Sequence, residues 1–252
     1  VNADLQIFLL MVMRIGAFVV VCPGFSFKGI PTIWKVALTV GLALPLYPFA
    51  PTGYPELSVP FFVWEGIQEV LLGLAIGYVS QLFFSAIEMA GAFADVQAGF
   101  SMAQLFDSTI GVNASYLGRV YYWVSLAIYF LTDMHHQMIK TLAYSFEAIP
   151  VQTAGMSVQV EGILTLFTLV FEIALNLAAP LLIVALMTEI LLGILSRTVP
   201  QINVLILSMP LKVLVVVTFL LAFLPTLYRD IADVLPQMIH HTYEFINSLV
   251  SI

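Results

Sequence analysis

Residues 91–119 read GAFADVQAGFSMAQLFDSTIGVNASYLGR. Long apolar runs flank the stretch. It carries four glycines (Gly91, Gly99, Gly111, Gly118), two aspartates (Asp95, Asp107) and a closing Arg119. It is also apolar at Phe93, Phe100, Met102, Leu105, Phe106, Ile110 and Val112. A solvated loop is more polar. A plain membrane span has fewer glycines and no aspartates. Irregular backbone at membrane depth is tolerated only where it is buried in protein or lines a cavity. The stretch therefore reads as an internal segment facing a pore or a partner, with the rest of the chain as scaffold. A long irregular connector between spans is the plainer alternative.

Working outward, the 252 residues are 61% hydrophobic and 9% charged, with a mean hydropathy of +1.04. Soluble domains carry roughly 25% charged residues. Such runs imply an all-α integral membrane protein, because a barrel would alternate polar and apolar positions. The net charge of −7 argues against nucleic acid as a partner. Cys22 stands alone, so no internal disulfide forms. It reads as a small packing residue. The first apolar run follows Asp4 rather than a basic leader and contains Arg14, unlike a cleavable signal. One membrane-embedded unit without a soluble domain is expected.

Residues 5–27 form the first apolar segment, stopped by Pro23 and Gly24. Arg14 lies about halfway along it and costs about 2.5–3.5 kcal/mol on insertion scales. It calls for a partner carboxylate, a helix end or a wet cavity; snorkelling to a headgroup is the bland alternative. Residues 36–50 form the second segment, and the prolines of 48–60 make a connector. In the helical pattern of 61–90, Gly73 and Gly77 make a GxxxG pair that lets a neighbouring backbone approach. Small residues continue at Ala86, Ala90, Ala94 and Ala98, leading past Gly91 into the quoted stretch. Glu88 and Asp95 are predicted to share one wet or partner-covered helix face.

Residues 120–149 read as one aromatic-rich segment, and 150–161 as a polar turn. The run 162–195 would be about 51 Å long as a straight helix, against about 30 Å of hydrocarbon. Pro180 predicts a kink or break in it, with Glu172 and Glu189 on either side. Gly193 reads as a helix end and Arg197 as a cation at the negative terminus. Residues 200–228 form the last long segment, followed by an amphipathic piece, 229–252. Adjacent histidines diverge on a helix, so His135/His136 and His240/His241 predict no metal site. No HExxH, no GxSxG and no nucleophile–base pair points to an enzyme, and no cofactor is expected. A proton-coupled small-solute transporter using the embedded carboxylates is the alternative class. It would show an internal repeat, and the two halves are not alike.

GFSMAQLFDSTIGVNASYLGR at 99–119, read with GILSRTVPQINVLILSMP at 193–210, resembles the FliR family of bacterial flagellar export-gate proteins. The injectisome counterparts are called SctT. The family pattern of Gly, Asn or Ser, Arg, then Pro-Gln appears as Gly193, Ser196, Arg197, Pro200 and Gln201. Arg14 with Pro23, Pro31 and Lys35 also matches, and the similarity runs along almost the whole chain. Relatives often have Asp-Pro-Gly where Asp107, Ser108 and Thr109 stand.

The resemblance implies kinked helical hairpins built into a helical, cone-like entrance with FliP and FliQ subunits. It implies a FliP-like part over 1–160 and a FliQ-like hairpin over 161–252, raised largely out of the bilayer. It places the protein in the bacterial inner membrane at the flagellar basal body, with membrane lipid, FlhB and unfolded exported proteins as partners. An injectisome subunit is the close alternative. The segment 99–119 would plug the channel, with Met102, Leu105, Phe106, Asp107, Ile110, Gly111 and Val112 at the constriction. Arg197, Pro200 and Gln201 would shape a hairpin turn for a partner. Arg14, Glu172 and Glu189 would be charges buried by protein and water.

Overall fold

Asp4 lies in the first turn of helix α1 (Ala3–Val21), where a negative charge suits the exposed N–H groups. The helix stops where Gly24 takes a φ of 90° just after Pro23. The computed structural model describes residues 3–26, 29, 31–49, 56–100, 115–151, 160–198 and 204–250. Helix α2 (Thr32–Leu46) follows Pro31 and runs into a single 3-10 turn, Tyr47–Phe49. Helix α3 (Val59–Ala98) starts with Pro60 in its first turn, where no donor is lost. Gly99, at a φ of 92°, closes it.

Helices α4 (Tyr116–Leu131), α5 (Met134–Ala148), α6 (Val160–Thr198) and α7 (Val204–Val250) complete an all-helical chain, with no strand among the described residues. Among the described residues, four stretches are long and apolar enough to cross a membrane: Ala3–Val21, Val59–Ala98, Leu164–Thr198 and Ser208–Leu249. The protein is an all-α integral membrane protein.

Four positions differ from the sequence expectation. Residues 120–149 are not one helix: Asp133, at φ 56° and ψ 20°, turns the chain between α4 and α5. Aspartate tolerates this left-handed conformation better than most residues. Pro180 does not break α6, and Gly193 does not end it; the helix continues to Thr198. The last apolar segment and the amphipathic piece are one helix, α7, which runs through Pro210, Pro225 and Pro236.

The chain gathers into two spatial units, each discontinuous in sequence. One comprises Val1–Phe83, Tyr129–Phe167 and Leu235–Ile252. Its core takes Leu10, Met11, Ile15 and Phe18 from α1, Leu72 and Ile76 from α3, and Met138 and Leu142 from α5. The other comprises Phe84–Ile128 and Thr168–Val234. There Ala86, Ala90, Ala94 and Ala98 are all buried, together with Tyr121 of α4, Ala174, Ala178 and Ala185 of α6, and Val216 and Ile231 of α7.

Candidate functional site

Two built features stand out, one in each unit. The first is centred on Arg14, fully buried in the middle of α1. Its Nε donates to Glu69 Oε2 at 2.5 Å and its Nη2 to Glu69 Oε1 at 2.9 Å. Nη2 also donates to the carbonyl of Ile149 at 2.9 Å, and Nη1 to that of Ser145 at 2.8 Å. Ser145 lies in the last turn of α5 and Ile149 just past it, where a helix C-terminus presents a negative field; the Ser145 carbonyl also accepts from the Ile149 N–H at 3.0 Å. The guanidinium also stacks over Phe146, 4.4 Å from the ring centroid. Arg14 thus joins a carboxylate and a helix end, two of the solutions its position called for. Glu65, one turn before Glu69, keeps its Oε2 buried without a partner among the described residues.

Glycine makes this approach of α1 and α3 geometrically possible. A Cβ on Gly73 would fall on the Arg14 carbonyl and lie 2.9 Å from Ala17 Cβ. One on Gly77 would lie 3.1 Å from the Phe18 carbonyl oxygen and 3.2 Å from Val21 Cβ. Nearby, Cys22 is a buried free cysteine.

The second feature is the base of the 91–119 stretch. Asp95, buried on α3, accepts from the N–H groups of Tyr116 at 3.3 Å and Leu117 at 3.4 Å. It supplies negative charge to the N-terminus of α4 from a different helix. Ser115 caps the same helix by accepting from Gly118 N–H at 2.8 Å. A Cβ on Gly91 would lie 2.6 Å from the Leu117 carbonyl oxygen and 2.7 Å from Gly118 Cα. The rings of Phe100 and Tyr116 approach to 6.4 Å between centroids. The chain therefore leaves α3 and re-enters α4 at one pinned point.

The proposed plug residues Met102, Leu105, Phe106, Asp107, Ile110, Gly111 and Val112 lie outside the described residues, as do Pro200 and Gln201. Arg197 is exposed in the last turn of α6. Glu88 and Asp95 do not share a wet face: Asp95 is buried by its capping role and Glu88 is exposed. Glu172 and Glu189 are not buried within this chain. Glu189 instead meets Lys212 of α7 at 3.2 Å and Gln97 of α3 at 3.3 Å. Sequence reasoning missed Glu69 altogether. The available signal was a stripe at four-residue steps, Glu65, Glu69, Gly73, Gly77, in which the acids precede the close-contact glycines.

The family described as bacterial export proteins, family 1, matches residues 5–238. The chain belongs to this family. This export-family chain is 29% identical over 232 residues to the flagellar biosynthetic protein FliR of Bacillus subtilis, covering 90% of itself and 89% of that protein. It is 26% identical over 224 residues to the protein of the same name from Escherichia coli, covering 88% and 85%. It is 30% identical over 218 residues to the Yop proteins translocation protein T of Yersinia pestis, covering 84% and 83%. The FliR resemblance read from the two motifs holds along the export protein's length.

Proposed function

We propose that this protein is a channel-forming component of the flagellar type III export gate in the bacterial inner membrane, at the basal body. It assembles with FliP and FliQ subunits, contacts FlhB and passes unfolded substrates. Its work is structural rather than enzymatic. The observation that carries the reading is the pinned base of the 99–119 segment. A segment rich in soft apolar residues starts and ends at one braced point, as a plug needs if it is to move without disturbing its frame. Met102 and Phe106 suit a constriction that dewets when closed and repacks around varied chains.

Residues 1–160 as a FliP-like part and 161–252 as a FliQ-like hairpin belong to the same proposal. The Glu189–Lys212 bridge between α6 and α7 supports two antiparallel arms. The injectisome role is the second reading, favoured by the 30% identity to the Yersinia translocation protein.

Deleting 107–114 while keeping Asp95, Ser115 and Tyr116 tests the plug. Assembly of the gate is expected to persist while the cells become leaky to small ions, read with a potential-sensitive dye. An assembled gate with unchanged ion permeability would rule the plug out.

A further inference from the structure

The corner between α4 and α5 carries a cluster that the export function does not use. Asp133, His135 and His136 each offer a ligand atom, and these atoms all lie within 4.8 Å of one another. The expectation that adjacent histidines diverge fails here. The two rings, in the first turn of α5, approach to 4.0 Å between centroids.

Three further observations point to ligation. Asp133 occupies the N-cap position of α5, where aspartate ordinarily accepts from the first backbone N–H groups. Its side chain makes no cap hydrogen bond; the carboxylate turns instead to His136 Nδ1 at 3.2 Å. His135 is held in orientation by the rings of Phe130, at 5.2 Å, and Tyr129, at 6.3 Å. Its Nδ1 is shut away from solvent without a hydrogen-bond partner among the described residues. A surface Asp–His pair by itself contributes little. It would not explain the packed second imidazole.

We propose that Asp133, His135 and His136 bind a divalent transition-metal cation, with water completing its shell. Two imidazole nitrogens and one carboxylate suit zinc, nickel or copper(II); calcium and magnesium prefer all-oxygen shells. The cation staples the end of α4 to the start of α5, the helix whose far end Arg14 holds.

The test uses the full chain, purified in detergent without a histidine tag and stripped with a chelator, then titrated with zinc chloride against a chromophoric competitor. The expected result is about one zinc per chain, with affinity lowered at least about 10-fold in both His136→Ala and Asp133→Asn. Both changes are at exposed positions, so folding survives and is checked by circular dichroism. The double variant His240→Ala/His241→Ala is expected to bind as the parent does, and excess magnesium is expected not to compete. Absence of zinc binding by the parent, unchanged affinity in His136→Ala, or loss only in the His240/His241 variant would each overturn the proposal.

Discussion

Removing the Arg14 side chain leaves Glu69 as an unpaired buried carboxylate and takes a donor from the Ile149 carbonyl, while the Ser145 carbonyl keeps the Ile149 N–H at 3.0 Å. Breaking a buried pair in this way costs about 3–5 kcal/mol. Arg14→Ala is therefore expected to lower the thermal midpoint of the detergent-solubilised protein by many degrees. Arg14→Lys should not restore it, because one ammonium cannot span the two carboxylate oxygens and both carbonyls as the planar fork does. The double change Arg14→Met/Glu69→Leu is expected to recover much of the loss, since it removes both charges together. Full stability in Arg14→Ala would refute this account. Arg14's need for a partner was legible, since a cation midway along an apolar run must be satisfied. Its partner was not legible, because the pairing joins residues 55 apart in sequence and the chain offers several other acids. Asp95 is a parallel case. Asp95→Ala is expected to cost about 1 kcal/mol through the lost cap, and Asp95→Asn less, because it keeps an acceptor oxygen. Equal unfolding midpoints for Asp95→Ala and the parent would show that the cap contributes nothing.

Helix approach sets which glycines matter. Gly73→Ala and Gly91→Ala each drive a methyl group into backbone of a neighbouring helix, and backbone cannot swing aside. Overpacking of that kind typically costs 1–3 kcal/mol. Gly41 and Gly193 face open space, and alanine there is expected to raise helix stability by roughly 0.5–1 kcal/mol. Parallel unfolding curves of the four variants check this ordering; a Gly73→Ala protein as stable as Gly193→Ala would contradict it. The close-contact role of Gly73, Gly77 and the alanine ridge could be read from four-residue spacing, because that spacing is a local property of a helix. Breaks were harder to read. Proline removes one hydrogen bond, and α6 and α7 absorb that loss over long apolar lengths. The real break at Asp133 has neither proline nor glycine to announce it. It rests on a single left-handed residue whose cost only the tertiary packing of α4 and α5 can offset.

At the scale of the molecule, the apolar surface exceeds what this chain can cover. Helices α3, α6 and α7 have 40, 39 and 47 residues. At a rise of about 1.5 Å per residue they are about 60–70 Å long, twice the hydrocarbon thickness of about 30 Å. Their excess must lie in water, in headgroups or against protein. On α7, Leu214 (63% exposed), Leu221 (67%) and Tyr228 (45%) recur at seven-residue steps and form one uncovered stripe. Such a stripe suits a facing helix as well as lipid, and a polar substitution separates the two. If sister subunits cover it, Leu214→Ser/Leu221→Ser leaves the isolated chain folded, since neither side chain packs inside it. The same change then strips the proposed FliP and FliQ subunits from the protein during gentle-detergent copurification and lowers secretion. If lipid covers it, the subunits remain and only insertion suffers. Retention of both partners at parental stoichiometry would exclude α7 from the assembly interface. Their loss, with an unchanged circular dichroism spectrum, would tie the uncovered apolar length of α7 to the architecture of the gate.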